Sequence, residues 1–280
     1  MAISGSTRLV GIIGWPVAHS LSPVMHNAAF SALGLDWTYV AFPVDPAEVS
    51  TALLGLRAAG IAGLNVTIPH KQAVLDSCAS VSDAVAAIGA ANTLIPRADG
   101  GWHADNTDAP GFLRALDEAA PLSLAGTRVL IVGAGGAARA VAFAVGSRGA
   151  QVLVANRTIE RAAGLGTPVP FTRAAVEDAA ATCGLIVNCT SLGLHEHTIP
   201  EALPLDCLGP GHVVADVVYR PSGTAWLAAA SARGARCVDG LGMLLHQGAA
   251  AFVQWTGHEP PVEVMRTALR GPRDGSAARP

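Results

Sequence analysis

Short apolar runs alternate with amphipathic stretches along nearly all of the 280 residues. Compact apolar runs bounded by turn residues predict buried strands, and apolar positions spaced by three and four predict helices. RLVGIIG (8–14) and WTYVAF (37–42) are the first predicted strands. Between them Ser22 and Pro23 open a helix, the serine as N-cap and the proline at the first helical position. PAEVSTALLGLRAAG (46–60) reads as an amphipathic helix that stops on Gly60. In GLNVTIP (63–69), Leu64, Val66 and Ile68 anchor one face of a strand, Asn65 and Thr67 occupy the other, and Pro69 ends it. Helices are expected from about His70 and after Ser82. Strand 91–95, the Asp99-Gly100-Gly101 turn and strand 101–105 make a hairpin signature. A helix follows from Asp108 to Ala119.

After a break at 120–127, RVLIV (128–132), VLVAN (152–156), LIVNCTSLGL (185–194) and HVVADVVY (212–219) read as core strands with helices between them. CVDG (237–240) leads to a helix at 241–256 and a last one from Val262 to Leu269. The polar tail 271–280 reads as disordered. This alternation favours an α/β fold built on parallel sheets.

Composition narrows the function. The chain is 51% hydrophobic and 14% charged with a formal net charge of −3, so no basic field invites nucleic acid or an anionic membrane. No stretch reaches the ~18 apolar residues of a membrane span. The run LVGIIGWPVA is better read as a first strand than as a secretory segment, because Trp15-Pro16 interrupts it. The five cysteines are odd in number and lack metal-ligand or redox spacing, as expected of small apolar residues in a reducing cytoplasm. No metal is expected, and His195 and His197 read as a solvated loop. Lys71 is the only lysine among cations that are otherwise all arginine. Lysine can release a proton near neutral pH when its environment lowers its pKa; arginine cannot.

The chemistry-bearing motifs sit at strand ends. Gly133, Ala134, Gly135, Gly136 and Ala137 follow an apolar strand and open a helix, the arrangement that binds a dinucleotide pyrophosphate. The next strand ends in Asn156-Arg157-Thr158, with Arg161 one turn on and no acidic residue for a ribose hydroxyl. The two arginines also suit a solvated helix start; their place at the strand end favours a 2′-phosphate, hence NADP over NAD. Four polar clusters precede this domain: His19-Ser20-Leu21-Ser22, Asn65 and Thr67 with Lys71, Asn92-Thr93, and Asp105 to Asp108. Each alone suits turn chemistry. Their recurrence after successive strands points to a polyhydroxylated, acidic small molecule.

The motifs HSLSP (19–23), NVTIPHK (65–71), GAANTL (89–94), DNTD (105–108), GAGGAAR (133–139), NCTS (188–191) and DGLGMLLHQ (239–247) resemble the shikimate dehydrogenase family from end to end. The resemblance implies two α/β domains around a cleft. A mostly parallel substrate domain would occupy 1–107, completed by C-terminal helices at 240–270, and a Rossmann-type NADP domain would occupy 108–239. It implies reversible NADPH-dependent reduction of 3-dehydroshikimate to shikimate. Ser20 and Ser22 would hold the carboxylate, and Thr67, Asn92 and Gln247 the ring hydroxyls, with Asn65 also in the substrate site. Lys71 would be the acid/base and Asp108 its partner. Gly133 to Ala137 would take the pyrophosphate, and Asn156, Arg157, Thr158 and Arg161 the 2′-phosphate. Thr190, Val217, Tyr219 and Gly240 would lie near the nicotinamide, with Tyr219 touching substrate, and Asp83 matches an occasional cofactor contact. Ala109 and Ala91 depart from the family's common glycine and valine without removing a functional group. His70 and His19 are rival proton carriers. The implied partner is the small-molecule substrate, in a cytoplasmic monomer or homodimer. A quinate/shikimate dehydrogenase and a non-catalytic ligand sensor are the alternatives.

Overall fold

The computed structural model describes residues 3–194, 198–220 and 223–271, so His195, His197 and the tail from 272 onward lie outside the described residues. The first sheet is built from β1 (Arg8–Gly14), β2 (Trp37–Pro43), β3 (Leu64–Val66), β4 (Ser80–Val81), β5 (Thr93–Pro96) and β6 (Trp102–Asp105). Its order is β2-β1-β3-β5-β6-β4. β1 pairs in parallel with β2 and β3, whereas β5 runs antiparallel to both β3 and β6. Helices α1 (Ser22–Ala32), α2 (Val49–Ala58) and α3 (Asp83–Ile88) connect these strands, and α4 (Asp108–Ala119) leads out of the sheet.

The second sheet is wholly parallel, in the order β12-β11-β10-β7-β8-β9. Its strands are β7 (Arg128–Val132), β8 (Gln151–Ala155), β9 (Thr167–Val169), β10 (Leu185–Asn188), β11 (Val213–Asp216) and β12 (Arg236–Val238). Helices α5 (Gly136–Ser147), α6 (Arg173–Ala180) and α7 (Ala225–Ala232) connect them. The chain builds outward from β7 to β9 and then returns to β10. The switch point therefore lies between the carboxyl ends of β7 and β10, where such sheets open a crevice for ligands.

After β12 the chain crosses back. Asp239 caps α8 (Gly240–Thr256) by accepting from the Gly242 amide, and α9 (Val262–Arg270) follows. Leu245, Phe252, Trp255 and Met265 of these helices share one core with Val10, Met25, Phe30 and Tyr39 of the first sheet and α1. Each large side chain so buried contributes about 1.5–3 kcal/mol. The Trp255 ring lies over Gly63, in the space any side chain there would fill, and its indole N–H donates to the Leu94 carbonyl at 3.3 Å.

Several sequence expectations need correction. Ser22 is not the N-cap: Leu21 holds that place without a side-chain bond, and the Ser20 hydroxyl accepts from the Ser22 amide at 3.3 Å. No α-helix starts at His70. The Lys71 carbonyl accepts from the Ala91 amide at 2.8 Å, which takes it out of helical register, and only a 3₁₀ turn forms at Ala73–Ser77. β3 stops at Val66, so the alternation fails beyond it and Ile68 is 59% exposed rather than anchored. The helix expected from 46 begins as a 3₁₀ turn at Pro46–Glu48 capped by Asp45. Gly60 follows α2 with a left-handed φ of 78°, as a helix-stopping glycine should.

Candidate active site

The carboxyl ends of β1 and β3, the amino end of β5 and the start of α4 meet the carboxyl ends of β10 and β11 of the second sheet around a cleft. Its centre is an ion pair. Lys71 Nζ lies 2.5 Å from Asp108 Oδ2, with side chains only 13% and 5% exposed. The turn after β3 supplies the lysine, and the first residue of α4 supplies the aspartate. Charge-assisted contacts of this kind are the strong ones.

Asn92 fixes the other end of that carboxylate. Its two Nδ2–H groups are shared among Asp108 Oδ1 and Thr107 Oγ1 at 2.9 Å and Gln247 Oε1 at 3.1 Å. Its Oδ1 accepts from the Thr107 amide at 2.7 Å and from the Thr93 hydroxyl at 3.1 Å. Gln247 reaches this cluster from α8, steadied by its own bond to the Leu244 carbonyl. All of these groups are buried. A buried network fully engaged in this way holds one geometry.

Asn65 lines the cleft but bonds inward. Tyr39 donates to its Oδ1 at 2.8 Å, and its Nδ2 donates to the Asn92 carbonyl at 3.1 Å and Thr93 Oγ1 at 3.4 Å. Burial pushes the Tyr39 phenol well above its usual range, so it remains a donor; the Ser22 hydroxyl beside it opposes that shift. His26 stacks flat on the Tyr39 ring at 4.5 Å, and burial drops its imidazole to about 3. Thr67, Ser20, Ser22 and Tyr219 also line the cleft. Burial raises the Tyr219 phenol, and hydrogen bonds at the Leu21 backbone and the Ser20 side chain work against it. These contacts join the two halves across the cleft mouth.

The rival histidines separate. His70 is buried with Nε2 at 2.8 Å from the Val44 carbonyl, turned away from the lysine. His19 is exposed at the cleft wall.

The glycine turn fits a pyrophosphate. Gly133 has φ 113° and packs on the Cys189 backbone and Thr190, where a side chain would be strained. Gly135 faces open space, and α5 begins at Gly136 with its first amides free for an anion. Ala134 is buried behind the turn, and Ala137, Thr190, Val217 and Gly240 line the cleft. Gly240 packs so closely on Val217 that an added Cβ would sit 2.6 Å from its carbonyl oxygen. Asn156 donates to the Thr158 carbonyl at 2.7 Å and shapes the turn after β8. Arg157 and Arg161 are exposed there and enter no ion pair among the described residues. Asp83 is exposed at the start of α3 and does not line the cleft.

Sequence reading missed Asn188 and Asp216, which close the apolar strands β10 and β11 in register. Asn188 Nδ2 donates to Asp216 Oδ1 at 2.9 Å, while its Oδ1 accepts from the Thr190 amide and hydroxyl. Asp216 also accepts from the Val218 amide and the Thr224 hydroxyl. Together they set the two loops that carry Thr190 and Val217. Burial lifts the Asp216 carboxyl to about 6 against the pull of these donors. A polar residue ending each apolar strand was the available signal.

Known proteins resemble the chain along its length. Residues 12–94 match the family described as shikimate dehydrogenase substrate binding domain, 115–190 match shikimate/quinate 5-dehydrogenase, and 240–270 match the shikimate 5′-dehydrogenase C-terminal domain. A protein named shikimate dehydrogenase (NADP(+)) from Moorella thermoacetica is 47% identical over 99% of this chain and 98% of its own. The crystal structure of shikimate dehydrogenase from Aquifex aeolicus superposes with a TM-score of 0.89 at 38% identity, covering 96% of this chain and 100% of that one. Quinate dehydrogenase from Corynebacterium glutamicum, solved in complex with NAD, gives 0.83 at 35% identity over 94% and 98%.

Proposed function

The chain belongs to the shikimate dehydrogenase family, and from that premise we infer that it reversibly reduces 3-dehydroshikimate to shikimate with NADPH, using Lys71 and Asp108 to manage the proton. The observation that carries the reading is the buried Lys71–Asp108 pair, braced by Asn92 and opening onto the same cleft as the glycine turn.

Reducing a ketone requires hydride at carbon and a proton at oxygen. NADPH, when bound, supplies the hydride. Lys71 donates the proton to the nascent hydroxyl oxygen as an ammonium and takes it back in the reverse direction. Asp108 Oδ2 holds Nζ in place. Asn92 holds the other carboxylate oxygen, Oδ1, so that Oδ2 stays on the lysine. The small exposure of Lys71 leaves it a path to recover a proton from water. Ser20 and Ser22, at the start of α1, suit the substrate carboxylate, with the helix amides adding attraction. Thr67, Asn92 and Gln247 suit ring hydroxyls. Gly133 to Ala137 would hold the pyrophosphate, and Asn156, Arg157, Thr158 and Arg161 the 2′-phosphate. The division at 107/108, with 240–270 returning to the substrate side, belongs to the same reading.

Initial rates with shikimate and quinate, each with NADP and NAD, test it. Shikimate with NADP should be the strongly preferred pair. Preference for quinate with NAD would move the chain toward the Corynebacterium relative, and no turnover with any pair would favour a ligand sensor.

A further inference from the structure

We propose that Gly136, although part of the nucleotide-binding turn, serves the proton-handling lysine: it leaves the space that lets Lys71 lie across the start of α5 and reach Asp108.

The neighbouring glycines of this turn face different things. Gly133 is required by its backbone, with φ 113°. Gly135 has nothing within 4 Å of where a side chain would begin, so its space is open for a ligand. Gly136 fits neither case. It is the first residue of a regular helix and its φ is not positive, so its backbone would accept alanine, a better helix former. What an added Cβ would meet is Lys71 alone among its three nearest atoms: Cβ at 2.8 Å, Cδ at 3.0 Å and Cγ at 3.4 Å.

Rotation of the lysine cannot relieve this contact. Its Cβ is fixed by its own backbone, whose carbonyl is bonded to the Ala91 amide at 2.8 Å, and the preceding His70 is anchored on Val44. A methyl group at 136 therefore either spreads the two halves of the cleft or dislodges the turn that carries Lys71. The first takes the nucleotide turn out of register with the lysine, and the second takes Nζ off Asp108. Gly136 is thus a positioning residue, acting through the lysine across the cleft. This inference rests on the reading of Lys71 as the proton donor.

Because the chain has a single lysine, protein labelled with 13C at lysine Cε gives one lysine resonance, which reports this contact without cofactor or turnover. Gly136→Ala should shift that resonance in the free protein and lower turnover at saturating substrates about 10- to 100-fold, the effect of a misplacement of about 1 Å. The fall in turnover should exceed any loss of NADPH affinity, as expected when the main loss is of transition-state geometry. Gly135→Ala should weaken NADPH and leave the lysine resonance unmoved. A Gly136→Ala protein with an unshifted resonance, or with weakened NADPH binding as its only defect, overturns the proposal. Lys71→Ala with near-normal turnover would instead overturn the proton-donor reading, while the resonance comparison still decides the contact.

Discussion

On the substrate side of the cleft, Asn92 engages every donor and acceptor of its amide with Thr93, Thr107, Asp108 and Gln247, all buried. On the nucleotide side, Arg157 and Arg161 stand exposed without acidic partners among the described residues, and Gly135 faces open space. One wall has its geometry set before any ligand arrives. On the proposed function, the other keeps two arginines for an anion still to come. On the proposed function, the difference follows from the chemistry each wall would serve. Proton transfer needs fixed angstrom-scale geometry, whereas holding a phosphate tolerates exposed, mobile guanidinium groups. Changes on the first wall should therefore damage turnover and stability, and changes on the second should damage affinity alone.

The sharpest test is Lys71→Ala. Turnover should fall about 100- to 10,000-fold, the usual contribution of a general acid, with substrate affinity little changed. Steady-state rates over a range of shikimate concentrations check it, and near-normal turnover would break the assignment.

His26 tests whether the first wall rests on a dry, neutral foundation. Its imidazole stays uncharged in the folded protein down to about pH 3, against an ordinary 6.5. In the unfolded chain it gains a proton as pH falls through 6.5. Its contribution is thus fully present above that pH and is lost progressively toward pH 3. The difference amounts to roughly 3 kcal/mol near pH 4. His26→Phe should flatten the slope of unfolding free energy between these two pH values. The slope measured by denaturant titration is the readout, and an unchanged slope would contradict a buried neutral His26.

Asn92→Ala leaves Asp108 Oδ1 and Gln247 Oε1 without their donor, at about 1–3 kcal/mol for each buried group so stranded. Both the melting temperature and kcat/KM should fall. Loss of activity with an unchanged melting temperature would show that the network is less integral than its geometry indicates. The smallest effect is expected from Arg157→Asp. Loss of a charge-assisted bond should weaken NADPH by about 10-fold and narrow its advantage over NADH, with melting temperature unchanged. An unaltered preference between the two nucleotides would refute the phosphate role and with it the contrast between the walls.

Much of this organisation was legible in the sequence where one pattern dominates. The bounds of β1 at 8–14 and of α4 at 108–119 follow from apolar spacing alone. Lys71 announced itself by being the only lysine. What stayed hidden depends on contacts between distant residues. The turn at 68–72 is set by Ala91 and Val44, so local propensity for a helix at His70 was overridden. β4 is two residues long and carries no period. The role of Asn92 as a hub depends on Gln247, 155 positions away. Ser22 looked like a cap because serine before a helix usually is one, yet its side chain is buried against Tyr39 instead.

The return of α8 and α9 to the first sheet has a consequence for how the protein is made. Ribosomes release the amino-terminal half first, but that half lacks Leu245, Phe252, Trp255 and Met265, which complete its core. At ordinary elongation rates its open apolar face must wait on the order of 10 s or more for the last helices to emerge. During that interval the nascent chain can assemble the parallel nucleotide sheet, whereas Gln247 has yet to reach Asn92. The substrate wall, though encoded first, is finished last, and the unfinished face is where a chaperone has most reason to bind.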